Sequence, residues 1–208
     1  MVLKKTILGK IEEKVLKFTA GKDIELDQAF INADCIGTAA HVRMLLKISK
    51  ETQIINENEC KQVISLLKSI INQNKNKKFK IRLKDQDVHM AIERVLTEEV
   101  PDIGKKIHTC RSRNDQVATD LRLYGKEQLL LTLHEVVELT KSLLNFGKKY
   151  KSVPMVGRTH MQPGMPSSIG LWATAYAESL LDDCSSLMNA LDLNDQSPLG
   201  SAASYGVS

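Results

Sequence analysis

Residues 115–148 read as one long helix whose leucines and valines, Leu129, Leu130, Leu131, Leu133, Val136 and Val137, surround more than one face. A helix that is apolar on several sides must be buried among other helices or between subunits. Residues 166–192 repeat the theme. Pro166 suits a first helical turn, and Ala173, Ala175 and Ala177 allow close helix approach. Two long helices joined by a short segment form an antiparallel hairpin. A hairpin with that much apolar surface is an incomplete fold and needs partners.

The rest of the chain points the same way. Leucine, isoleucine and alanine carry the apolar content while aromatics make up 4% of the 208 residues, a balance that favours helices and an all-α fold. Residues 10–19 predict a short helix or turn, followed by a loop over Ala20, Gly21, Lys22 and Asp23. A helix over 25–49 carries an apolar stripe at Leu26, Phe30, Ala33, Ile36, Ala40, Met44 and Ile48. Further helices are expected over 56–73 and over 86–99, the latter ending before Pro101. The basic run from Asn74 to Lys80 holds one aromatic and reads as a solvated loop between helices.

Several classes of function are excluded or disfavoured. The net charge of +4 is the small difference between 29 basic and 25 acidic residues, so it implies no nucleic-acid partner. No apolar run is long enough to span a membrane, and residues 1–7 lack the apolar core of a signal peptide. Cys35, Cys60, Cys110 and Cys184 are widely spread without a C-x-x-C pair, as expected of reduced thiols in a cytoplasmic protein.

Three segments carry residues suited to chemistry. The run from His108 to Val117 sets Arg111, Arg113, Asn114 and Asp115 at the start of the longest helix, and Ser112 with Asp115 has capping-box spacing. Free backbone N–H groups, the positive helix end and the arginines together would suit a small polycarboxylate. A cap whose arginines pair with surface acids is the competing reading. Cys110, beside those arginines, could have a lowered pKa but reads better as an inert small residue. Asp87, His89 and Glu93 could form a metal site, although a lone helical histidine is more often structural. Between Gly157 and Pro166, glycines and prolines fix an irregular backbone that holds Thr159, His160 and Gln162 at the entry to a helix. A histidine there can exchange protons near neutral pH, or can simply cap a neighbouring carbonyl. His41 and His134 sit in helical patterns and receive no role. No phosphate-binding glycine loop, nucleophile elbow or H-E-x-x-H pattern is present.

Taken together, Asp87-Val88-His89, His108-Thr109, the run from Arg111 to Leu123, and Gly157-Arg158-Thr159-His160-Met161-Gln162 resemble argininosuccinate lyase of the aspartase/fumarase superfamily. Phe18 to Asp23 with Leu26-Asp27, and Pro198 to Ala203, extend the likeness over nearly the whole chain in the correct order. The S-R-N-D-Q-V run is the specific part; G-R-T-H is shared more widely. The resemblance implies an N-terminal helical domain over 1–111. The first two long helices of the superfamily's central bundle, of five in relatives, would follow over 112–208.

That family cleaves argininosuccinate to arginine and fumarate without a cofactor or metal. A base removes a carbon-bound proton, the carbanion is stabilised as an aci-carboxylate, and an acid assists departure of the guanidino nitrogen. The resemblance implies that His89, Arg113, Asn114 and Thr159 contact substrate and that His160 is a general acid/base or orients one. Asp27 and Gln162 follow as second-rank substrate contacts. It also implies a cytoplasmic homotetramer whose sites draw on several subunits. Two positions depart from the pattern. Cys110 stands where the family has a small glycine or alanine, and Gly21 stands where many relatives have a substrate-contacting serine. The family's G-S-S-x-M-P-Q-K-x-N-P loop, which bears its serine base, does not occur in these 208 residues. The chain alone is therefore expected to turn over nothing. Adenylosuccinate lyase or fumarase activity, or a non-catalytic helical structural role, are the competing expectations.

Overall fold

The computed structural model describes residues 12–48 and 53–202. Residues 1–7, the end of the helix expected to reach residue 49, and Ala203 of the C-terminal motif lie outside the described residues. The described chain is helical, as its composition implies, apart from one two-stranded hairpin. It divides into two compact units, residues 1–124 with 197–208, and residues 125–196.

In the first unit, α1 (Glu13–Leu26) runs straight through the expected loop at Ala20–Asp23. Leu16, Ala20 and Ile24 recur every four residues, with Leu16 and Ala20 buried and Ile24 packed against the core. That face keeps the segment helical in spite of Gly21. The single helix expected over 25–49 is broken instead by a 3-10 turn at Asp27–Ala29, and α2 begins at Ile31 and ends at Lys47. The break lets two side chains reach outward from the turn. Gln28 Nε2 donates to Asn74 Oδ1 at 3.2 Å and to the Phe79 carbonyl at 3.0 Å, while Asp27 Oδ2 accepts the Val88 N–H at 3.1 Å.

Helix α3 (Glu57–Lys75) starts at a reciprocal capping box in which Asn56 accepts from Glu59 N–H and the Glu59 carboxylate accepts from Asn56 N–H. Helix α4 (Val88–Glu99) is capped by Asp87, whose Oδ1 accepts the Met90 N–H at 2.7 Å. A one-turn helix α5 (Pro101–Gly104) follows, with Pro101 at its start. The core of this unit joins α2, α3 and α4 through Ile31, Val42, Leu45, Val63, Leu67, Ile92 and Leu96, all essentially inaccessible. Each such side chain stabilises by about 1.5–3 kcal/mol on removal from water.

The long helix α6 (Arg113–Lys149) contributes its first twelve residues, 113–124, to the first unit and the remainder to the second. The second unit adds β1 (Pro154–Thr159), β2 (Gln162–Ser168) and α7 (Ile169–Asn194). The strands pair antiparallel with Thr159 opposite Gln162, and the register shifts between Val156 and Arg158. The segment read as an irregular polar loop is thus a hairpin, and Pro166 lies in β2 rather than in a first helical turn. Strand pairing satisfies the backbone groups that a loose loop would have left to solvent. Helix α7 starts only at Ile169, where Ser168 Oγ accepts the Leu171 N–H at 3.0 Å.

Helices α6 and α7 run antiparallel and approach most tightly where Gly147 meets Gly170 and Thr174. A Cβ on Gly170 would stand 2.5 Å from Lys151 Cα and 2.7 Å from the Gly147 carbonyl oxygen, both unyielding backbone atoms. Leu130, Leu131, Leu139 and Phe146 of α6, and Leu171, Trp172, Tyr176, Leu181 and Met188 of α7, nevertheless remain exposed. Among the described residues, the apolar faces foreseen for these two helices are not covered. Gly170→Ala is expected to destabilise the second unit by at least about 2 kcal/mol, the scale of core overpacking. A urea titration of the variant followed by circular dichroism reads this loss.

Candidate functional site

The sequence at the start of α6 builds its own cap. Ser112 Oγ accepts the Asn114 N–H at 3.2 Å, and Asp115 Oδ1 accepts the Ser112 N–H at 3.0 Å, so the serine and aspartate side chains satisfy two backbone donors at the helix start. The other Asp115 oxygen accepts the Ala202 N–H and holds the Pro198–Ala202 segment against the cap. Cys110, three residues before the helix, has φ +59°. This is the left-handed region that glycine occupies without penalty, which gives a physical reason for a small residue here. Its side chain is exposed.

Across from this cap lies the N-terminus of α4, whose first donors are taken by two carboxylates, Asp27 and Asp87. Asp87 also accepts from Arg113 Nη1 at 2.9 Å and so ties the two helix starts together. Between them opens a cavity of about 220 Å³ lined by Asp27, Phe30, Asp87, His89, Arg113 and Asp120 together with three neighbours. Its lining combines apolar side chains with the carboxyl groups of Asp27, Asp87 and Asp120, and Arg113 is the one arginine or lysine among the lining residues. Burial raises the Asp27 pKa, an effect that the bond from Val88 opposes.

Behind the cavity wall is a buried polar network that the sequence did not announce. Asp34 accepts from Thr38 Oγ1 at 3.0 Å and from Gln116 Nε2 at 2.8 Å, and it bonds His89 Nδ1. Arg111 is buried and donates Nη1 to Thr38 Oγ1 at 2.9 Å. Asp120 is buried as well, with His89 Nδ1 3.6 Å from its Oδ2, and neither of its oxygens completes a hydrogen bond among the described residues. Burial first, and then the neighbouring Asp34, raise the Asp120 pKa to about 9, while the Arg111 charge pulls the other way. Asp120 is therefore a neutral acid at pH 7. Burial lowers the pKa of His41 and of His108, in each case with help from Arg111. His41 Nε2 meets the Thr109 carbonyl at 2.8 Å and anchors the segment that leads into the cap.

The trio foreseen as a possible metal site does not assemble as such, because Asp87 is engaged with Arg113 and His89 with Asp34. Asp34, His89 and Asp120 do place one ligand-type atom each within 4.8 Å of one another. The nitrogen and oxygen that a cation would need are already bonded together, and Arg111 already supplies positive charge.

Of the residues singled out in the sequence, Asp27, His89 and Arg113 line one cavity. Asn114 is exposed at the first turn of α6 and outside that lining. Thr159, His160 and Gln162 belong to the second unit, exposed at the tip of the hairpin. There His160 and Met161 form a two-residue turn with φ of +50° and +62°, both in the left-handed region without a glycine. Thr159 Oγ1 and His160 Nδ1 are 2.8 Å apart. Non-glycine residues held at positive φ cost free energy that surrounding contacts must offset, and such strain concentrates at working sites.

Sequence reading missed Asp34, Gln116 and Asp120, and it grouped Arg111 with the substrate-facing arginines. For Asp34 the cause is the phase of α2. Its buried face carries Ile31, Asp34, Thr38, His41 and Leu45, while Leu26, Ile36 and Met44 of the expected stripe are exposed. Polar residues at 34, 38 and 41 share the spacing of the buried apolar ones. That shared spacing was the available signal.

Comparison with known proteins agrees with this architecture. The sequence profile of the lyase family matches residues 16–208. An argininosuccinate lyase of Phocaeicola vulgatus is 41% identical over 199 residues, covering 96% of this chain and 44% of the relative. One of Thermotoga neapolitana is 39% identical over 197 residues, covering 95% and 48%. The chain thus spans less than half the length of these curated relatives. Among solved structures, a variant of EDDS lyase with bound fumarate superposes with a TM-score of 0.68 at 21% identity, covering 95% of this chain and 38% of that one. A fumarate lyase:delta crystallin of Brucella melitensis bound to cobalt gives 0.69 at 17%, covering 98% and 51%. At those identities the structures speak for the fold alone.

Two outcomes follow from this geometry. Cys110→Gly is expected to stabilise the chain by about 1 kcal/mol by relieving the left-handed backbone, read as a raised urea midpoint. For Asp120, the folded pKa lies above that of the unfolded chain. The folded state therefore holds a proton that the unfolded state releases, and this contribution, full below about pH 4, is lost as pH rises towards about 9. Asp120→Asn does not titrate, so its stability relative to the wild type should climb steadily between pH 5 and pH 8. A flat difference in urea midpoints over that range would contradict the assignment.

Proposed function

This chain belongs to the lyase family, and on that premise we propose that it is the N-terminal portion of an argininosuccinate lyase. That enzyme eliminates fumarate from argininosuccinate to leave arginine, as a step of arginine biosynthesis. The observation that carries the reading is identity of about 40% to argininosuccinate lyases along 96% of the chain. The cavity supports it: the Arg113 guanidinium and a histidine, His89, gather beside the starts of two helices, where a small charged substrate would have to be held.

In this reading Arg113 and Asn114 hold a substrate carboxylate. Their charge and N–H donors stabilise the negative charge that develops when the carbon-bound proton leaves. His89 and Asp27 contact the substrate from the α4 side, and Thr159 and Gln162 do so from the hairpin. His160 is the general acid/base or orients it, its ring steadied by Thr159. No cofactor and no metal is required, because the positive groups of the site do the electrostatic work.

The functional protein is a cytoplasmic homotetramer. Its subunits cover the apolar faces of α6 and α7 and bring the hairpin of one copy to the α4–α6 cavity of another. Exposed apolar surface on that scale marks an interaction face. Residues 1–111 form the N-terminal helical domain, and 112–208 begin the central bundle. The 208-residue polypeptide alone is inactive, because the serine-bearing loop is not among its residues.

The test begins with the gene beyond codon 208. The full-length product is expected to release fumarate from argininosuccinate, followed by absorbance, and none from adenylosuccinate. Arg113→Ala is expected to reduce kcat/KM at least 100-fold, since a charge-assisted carboxylate contact used in the transition state is lost. Fumarate release by residues 1–208 alone, or a preference for adenylosuccinate, would reject the reading.

A further inference from the structure

Asp34 is buried on α2 and takes no part in the cavity lining, yet donors from three elements converge on it. Thr38 Oγ1 reaches Oδ1 at 3.0 Å from the same helix, Gln116 Nε2 reaches Oδ2 at 2.8 Å from α6, and His89 Nδ1 meets that Oδ2 from α4. Behind Thr38 stands Arg111 Nη1 at 2.9 Å, so a chain of donors runs from guanidinium to hydroxyl to carboxylate. His89 does line the cavity. Its ring therefore has one nitrogen committed to the interior and a second, Nε2, left over.

We propose that Asp34 is a positioning residue for His89, holding the ring with its proton on Nδ1 so that Nε2 faces bound substrate as an acceptor. Both Asp34 oxygens already accept, Oδ1 from Thr38 and Oδ2 from Gln116, so the ring nitrogen bonded to Oδ2 must be the one that donates. Which nitrogen of a histidine carries the proton is set by the partner of the other. Free imidazole in water favours the opposite tautomer, so the choice must be imposed by the protein. Asp120 Oδ2 stands 3.6 Å from Nδ1, beyond hydrogen-bond reach, so Asp34 is the partner that fixes that nitrogen. Arg111, Asp34 and Asp27 are the charged groups that face Asp120. The part of this inference that concerns substrate rests on the lyase reading; the tautomer does not.

The decisive measurement is the ¹⁵N imidazole spectrum of the 208-residue chain at pH 8, with the His89 signals identified by their loss in His89→Gln. The wild type is expected to show a protonated Nδ1, and Asp34→Asn is expected to change the tautomer ratio at least fivefold. A wild-type ring with its proton on Nε2 alone, or an unchanged ratio in a folded Asp34→Asn, overturns the proposal. Should that variant not fold by circular dichroism, the wild-type spectrum alone decides. In the full-length protein Asp34→Asn is expected to lower kcat at least tenfold with KM within threefold, whereas a loss confined to KM would count against positioning. A full-length wild type without fumarate release rejects the lyase reading and leaves the tautomer result standing.

Discussion

The Asp34 carboxylate ties α2 to α4 through His89 and to α6 through Gln116, while Thr38 links it to Arg111. A buried charge without partners would cost several kcal/mol, so the elements that carry those partners cannot drift independently. Fixing α4 against α6 in turn fixes the two helix starts that face the cavity, where Asp87 and Arg113 meet. The cavity is thus a consequence of the network behind it. Its wall, His89, belongs to both.

Helix N-termini recur as the structural theme of the first unit. Those of α3, α4 and α6 are each closed by short polar side chains, at Asn56, at Asp87 with Asp27, and at Ser112 with Asp115. The two that border the cavity are the ones capped by residues with further bonds. Asp87 reaches Arg113, and Asp115 reaches the C-terminal segment at Ala202. Capping here both ends helices and locates charge, which is what an electrostatic catalyst needs.

The second unit poses a different physical problem. Close glycine contacts bring α6 and α7 together, but two helices cannot enclose a core, and their leucines and aromatics remain in water. On the proposed reading the missing layers are other copies of the molecule, and the same association completes the site. The hairpin that carries Thr159, His160 and Gln162 has its turn in the left-handed region, a conformation kept only where the surroundings over-determine it.

Much of the helical order was written in the sequence. Periodicity marked α3, α4, α6 and α7, the S-x-x-D spacing marked the α6 cap, and the clustered leucines and valines marked helices whose apolar surface exceeds what the described residues cover. Those features depend on neighbours three or four residues apart, which a sequence displays directly. Other features were decided by distant contacts. The break at Asp27–Ala29 exists because Asp27 and Gln28 bond residues 61 and 51 positions away. The hairpin replaced an expected loop because two strands could pair. Asp34, Gln116 and Asp120 look like ordinary polar helix residues until folding brings them to one buried point. Spacing reveals which face a residue shares, but only tertiary packing sets which face is buried and which charges must neutralise one another there.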